Sequence, residues 1–136
     1  TFYHGHTYTG NPLAAAAALA TIELMKSDDF LSHINGMNEV FGTQIERLWR
    51  LPWVGDIRRW GLMAGVELVA DKSTKAAFPA ADRIAMKVCR AARDRGVFLR
   101  PLGDTIIFVP PLMLTHAEIE LLIDAAYGAI EDVLGS

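Results

Sequence analysis

The chain has 136 residues, 51% hydrophobic and 21% charged, which suits one globular domain with its own core and excludes disorder as the dominant state. Thirteen Lys and Arg against 16 Asp and Glu leave a net charge of −3, which offers no electrostatic footprint for nucleic acid. Cys89 is the single cysteine and cannot close an internal disulfide, no secretory pattern opens the chain, and no apolar run reaches the roughly 20 residues that span a bilayer, so a reducing, cytoplasmic setting away from membranes is expected.

The chain opens at Thr1 without an initiator Met, and Thr1 to Gly10 is rich in aromatic residues, His and Thr, so it reads as an excised or processed fragment. Asn11-Pro12 is a helix start: Asn caps free amides and Pro suits the first helical position. A helix is expected over Pro12–Lys26. Its run Ala14 to Ala18 carries no bulky side chain, so another element can approach closely, within or between subunits. Ser27-Asp28-Asp29 ends it and caps a second helix, Asp29–Arg50, with Phe30, Ile34, Met37, Phe41, Ile45 and Leu48 at helical spacing. Gly36 and Gly42 weaken that helix by up to about 1 kcal/mol each if they lie in its interior.

Pro52 ends the helix, and Val54–Trp60 and Leu62–Val69 alternate as two strands around Gly61. Asp71–Pro79 is a polar loop, Ala81–Arg95 returns to helical spacing, and Gly96 caps it. Val97–Arg100 and Thr105–Val109 form a second hairpin around the turn residues Pro101-Leu102-Gly103-Asp104. Pro110-Pro111 ends that strand, and Thr115 with Glu118 three residues later is a capping box for a last amphipathic helix through Ile119, Ile123, Ala126 and Ile130. The order predicts an α+β fold: a small, mainly antiparallel sheet covered by helices on one face, its other face asking for a further surface.

Two clusters can carry chemistry. In the first, Phe2-Tyr3-His4-Gly5-His6-Thr7-Tyr8-Thr9-Gly10, His4 and His6 lie two apart, as a metal pair would, yet no third ligand is evident because His33, His116 and Cys89 fall in helical patterns; no metal is expected. The segment is either an aromatic loop packed under a neighbouring domain or, standing before a helix N-terminus, a set of hydroxyls and amides for a phosphate. In the second, Phe98-Leu99-Arg100-Pro101-Leu102-Gly103, the arginine closing an apolar strand is either a solvated strand-end charge or a fork aimed at a carboxylate. Lys26, Lys72, Lys75 and Lys87 occupy a helix end, a polar loop or a helix surface, and none reads as a buried, activated amine. Cys89, on an apolar helix face, reads as core.

At these residues the sequence resembles a known family. His4-Gly5-His6-Thr7-Tyr8-Thr9-Gly10-Asn11-Pro12-Leu13-Ala14, then Arg58-Arg59-Trp60-Gly61-Leu62-Met63 with Gly65-Val66-Glu67-Leu68, then Leu99-Arg100-Pro101-Leu102-Gly103 with Pro110-Pro111-Leu112 are similar, in that order, to segments of class III, fold-type I, pyridoxal-phosphate aminotransferases. The resemblance implies the C-terminal domain of such an enzyme, residues 1–136, with the cofactor-bearing lysine and its domain missing upstream and this fragment inactive alone. It implies that Thr7 holds the cofactor phosphate in the other subunit of a homodimer, with His6 beside it, that the Gly5 backbone meets substrate, and that Arg100 clamps the substrate carboxylate, where a planar fork suits better than lysine. No catalytic residue is implied within this chain. Phe2-Tyr3-His4-Gly5-His6-Thr7-Tyr8 and Arg100-Pro101-Leu102-Gly103 are most similar to the biotin-pathway branch, in which S-adenosylmethionine donates and 8-amino-7-oxononanoate accepts the amino group. Ile106 and Ile107 depart from members of that branch with an aromatic residue in this strand. The alternatives are an amine or β-amino acid:pyruvate aminotransferase and, from another class, a non-catalytic binding or dimerisation domain.

Overall fold

The helices of the computed structural model, which describes residues 1–135, begin where capping residues stand. Asn11 accepts from the Ala14 amide at 3.0 Å and opens helix α1, Pro12–Met25. The Ser27 hydroxyl accepts from the Phe30 amide at 3.3 Å at the head of helix α2, Asp28–Ile45. The chain divides inside α2 into two units, Thr1–Asn35 and Gly36 onward. The first holds the N-terminal loop and α1, none of whose residues is buried.

The second unit carries the sheet. Strands β1, Val54–Trp60, and β2, Met63–Leu68, form the first hairpin, turning at Gly61 with φ +58°. Strands β3, Arg100–Leu102, and β4, Thr105–Phe108, form the second. The hairpins join side by side through β2 and β4, so the sheet is antiparallel throughout in the order β1-β2-β4-β3. Between them runs helix α3, Ile84–Asp94, and after them helix α4, His116–Leu134. Ala64, Val66 and Leu68 of β2 and Ile106 and Phe108 of β4 are buried, in one core with Val88 and Ala92 of α3 and Ile119, Ile123 and Ile130 of α4. The alternate strand positions form the opposite face of the sheet.

The structure departs from expectation in three places, each with a local reason. The second helix stops being α-helical at Ile45, and Glu46–Arg50 tightens into a 3-10 turn. Pro52 follows, and the Lys72 ammonium donates to the carbonyls of Trp49 and Leu51, meeting acceptors that a helix end leaves open. The third helix starts three residues late, at Ile84, because Ala80–Asp82 is a separate 3-10 turn and Arg83 sits at φ +50°. In the second hairpin the turn is not four residues but two, Gly103-Asp104, with Gly103 at φ +60° as a tight hairpin favours. Pro101 therefore lies inside β3, tolerated there because β3 is an edge strand. Val97–Leu99 is not strand, and Arg100 begins its strand rather than closing it.

Gly42 and Gly128 have a packing reason. A Cβ on Gly42 would lie 2.8 Å from the Arg59 guanidinium, and one on Gly128 2.6 Å from that of Arg95. Each arginine crosses a helix at its glycine: Arg59 donates to Asn38 on α2 and to the Gly61 carbonyl, and Arg95 pairs with Asp132 at 2.7 Å. Around Gly36 there is open space.

Candidate functional site

In the first unit, Gly5, His6 and Thr7 lie in an exposed loop just ahead of α1. The loop is shaped by its own rings and turns: Phe2 stacks on His4 at 5.7 Å, His4 meets His6 edge-on at 4.9 Å, and the His6 carbonyl accepts from the Thr9 amide at 3.1 Å. Gly10 turns the chain at φ +78° into the Asn11 cap. Neither the Thr7 amide nor its hydroxyl hydrogen-bonds to another described residue. Both donors thus stand free near a 14-residue helix N-terminus, a fit for the phosphate end of a cofactor. Among the described residues no cluster of His, Cys, Asp and Glu could hold a metal ion.

In the second unit, Arg100 faces the side of the sheet opposite the core. Register sets its row: Arg100 pairs with Ile107, Ile107 with Gly65, and Gly65 with Arg58. Two guanidinium-bearing residues thus share one face at opposite edges of the sheet. Arg58 is engaged, with Asp56 at 2.6 Å and Glu67 at 2.9 Å. Hydrogen bonds from Glu67 first and Asp56 second raise its affinity for its proton further. Arg100 forms no ion pair among the described residues. An exposed guanidinium without an internal partner has its fork available for a carboxylate.

Arg100 also stands on the wall of a cavity of about 440 Å³ between the Gly96–Arg100 segment, the end of β4 and the first turns of α4. Phe98, Ile107, Leu121 and Leu122 line it. The sequence singles out Arg100 but not this wall, whose parts come from positions more than 20 residues apart; the visible signal is Phe98, an aromatic residue beside the arginine. The Arg58, Asp56 and Glu67 cluster is likewise missed as a unit, although alternation puts these residues on one strand face.

The remaining chemical candidates have structural explanations. The Lys26 ammonium pairs with Glu23 at 3.1 Å, and that of Lys72 bonds two backbone carbonyls. Cys89 is buried, and desolvation pushes its thiol up to about 11, so it stays protonated and inert. Glu118 completes the expected capping box, accepting from the Thr115 amide at 2.7 Å and hydroxyl at 2.8 Å, which holds its carboxyl below the ordinary range. No described helix is long and apolar enough to cross a membrane.

An α+β domain with this sheet order, a threonine-bearing loop before an Ala-rich helix and a free arginine at a sheet edge matches one family in particular. Residues 1–130 match the model of the class-III aminotransferases, and the chain belongs to that family. It is 44% identical over 99% of its length to the adenosylmethionine-8-amino-7-oxononanoate aminotransferase of Geobacter sulfurreducens, covering 30% of that protein. It is 47% identical over 96% of its length to the protein of that name from Nitratidesulfovibrio vulgaris, covering 24%. The crystal structure of the Methanocaldococcus jannaschii adenosylmethionine-8-amino-7-oxononanoate aminotransferase superposes with a TM-score of 0.91 at 41% identity, over 98% of this chain and 31% of that one. An (S)-enantioselective omega-transaminase from Thermomicrobium roseum superposes at 0.88 with 35% identity, over 98% and 30%. The chain thus spans between a quarter and a third of these relatives, and its α+β fold is that of the C-terminal domain of fold-type I aminotransferases.

Proposed function

We propose that residues 1–136 are the C-terminal part of a pyridoxal-phosphate aminotransferase that moves an amino group from S-adenosylmethionine to 8-amino-7-oxononanoate, giving 7,8-diaminononanoate in biotin biosynthesis. The observation that carries this reading is the shared name of the Geobacter, Nitratidesulfovibrio and Methanocaldococcus relatives across nearly the whole chain. When bound, pyridoxal phosphate supplies the electron sink for amino transfer, and the protein supplies binding, orientation and electrostatics. Thr7, with two free donors, would hold the cofactor phosphate in the other subunit of a cytoplasmic homodimer, with His6 beside it. The Gly5 backbone would meet the substrate, and Arg100 would hold its carboxylate. The lysine that carries the cofactor would lie upstream, so this segment alone would be inactive.

A second reading, an amine or β-amino acid:pyruvate aminotransferase, is favoured by the likeness to the Thermomicrobium transaminase. The test uses the full-length protein loaded with pyridoxal phosphate, given S-adenosylmethionine or β-alanine separately, while the visible absorbance of the bound cofactor is followed. Bleaching by S-adenosylmethionine alone is the expected result, whereas bleaching by β-alanine alone overturns it in favour of the second reading. A full-length protein that never acquires the visible band would instead be the non-catalytic binding or dimerisation domain. Thr7→Ala is expected to release the cofactor more readily, and unchanged retention would remove the phosphate role.

A further inference from the structure

The cavity beside Arg100 has a distinct chemistry. Its volume of about 440 Å³ lies within the roughly 300–1,000 Å³ of small-molecule sites. Its walls are mainly hydrocarbon: Phe98, Leu99, Ile107, Val109, Leu121 and Leu122. Two charged side chains reach it, Arg100 and Glu118. Arg100 is without an ion-pair partner among the described residues, while Glu118 is committed to the cap of α4 and remains an anion. An apolar chamber with one available guanidinium selects a ligand with one carboxylate and a hydrocarbon body. The fixed negative charge of Glu118 opposes a second carboxylate on that ligand.

Phe98 supports a binding wall rather than a buried core position. It is 77% exposed, yet it is held in place by the Arg93 guanidinium 4.5 Å from its ring centre. Leu99, its neighbour, is buried and anchors the segment. The Gly96 turn at φ +80° sets the direction of the segment out of α3. Leu121 projects from α4 into the same cavity and is 52% exposed.

We infer that this cavity is a subsite for the hydrocarbon chain of a medium-length monocarboxylate whose carboxylate is held by Arg100. The inference rests on the carboxylate-binding reading of Arg100 and extends it. A long-chain keto acid gains from the chamber, and a three-carbon keto acid does not, because it ends at the guanidinium. The subsite thereby sets chain-length preference within the proposed reaction.

The experiment is calorimetric titration of the full-length, cofactor-loaded protein with the unbranched acids from propionate to nonanoate. Affinity is expected to rise with chain length by up to about fourfold per methylene, the factor for burying one such group. Leu121→Trp fills the chamber from an exposed position, and nonanoate should then bind about tenfold more weakly, as for two or more methylenes returned to water, with propionate unchanged. Phe98→Ala removes a wall and should weaken nonanoate severalfold, again sparing propionate. Arg100→Ala should weaken both acids. If affinity is independent of chain length, or if both Leu121→Trp and Phe98→Ala bind nonanoate as the parent does, the subsite is overturned while Arg100 keeps its role. If Arg100→Ala leaves both acids bound as before, the reading of Arg100 itself fails, and the inference with it.

Discussion

The two units of this chain bury their apolar residues in opposite ways. From Gly36 onward every strand and helix contributes to one core, in which Phe41, Val66, Ile106, Ile119 and Ile123 have no measurable exposure. In Thr1–Asn35 no residue is buried, although α1 is apolar on all sides, and Leu13, Leu19 and Leu24 are 80%, 64% and 71% exposed. A helix that is apolar all round belongs in an interior, whereas a striped one suffices at a surface. The second unit is therefore built to be stable through its own contacts, and α1 is built to be covered.

The largest effect that separates the units is a core truncation. Phe108 is 1% exposed, with its ring 6.3 Å from that of Phe41, so Phe108→Ala should cost about 3–5 kcal/mol in urea unfolding. Leu19→Ala should stay within about 0.5 kcal/mol if α1 is solvated as in this chain. Equal losses would break the comparison by showing that α1 is covered in the protein.

A smaller effect sharpens the comparison within α2. Gly36 has open space around it, so Gly36→Ala should raise stability by up to about 1 kcal/mol. At Gly42 the new methyl would displace the Arg59 guanidinium from Asn38 and Gly61, so Gly42→Ala should gain nothing or lose stability. Thermal midpoints moving in the same direction would refute the packing role of Arg59.

The smallest effect is a titration. Burial holds the Cys89 thiol near 11 against an ordinary 9.0, so the folded state keeps a proton that the unfolded state gives up. That contribution to stability is complete below pH 9.0, declines as pH rises and is lost above about 11. Iodoacetamide at pH 8 should leave Cys89 unmodified in the folded protein and label a Leu19→Cys thiol readily. Equal labelling would place Cys89 at the surface.

Much of this was legible in the residues. Asn11-Pro12, Ser27 and the Thr115/Glu118 box start helices because they satisfy amides that a helix start leaves free, a local requirement that needs no tertiary structure. Alternation around Gly61 marked the first hairpin for the same reason. The second hairpin was legible in place but not in register, because Pro101 suggests a turn from sequence yet is admissible inside an edge strand, and nothing local says that β3 is an edge.

The sequence by itself determined the α+β class, the order of elements, the helix caps and the motifs that carry the class-III resemblance, since each depends on chain neighbours or on a period of two or 3.6 residues. Tertiary structure alone decided that β2 pairs with β4, that Arg58 is neutralised while Arg100 has no ion pair, that Arg59 crosses α2 at Gly42, and that Phe98 and Leu121 wall one cavity. The physical reason is separation along the chain: these contacts join residues from about 10 to 40 positions apart, where packing and strand register, rather than local propensity, select the partner.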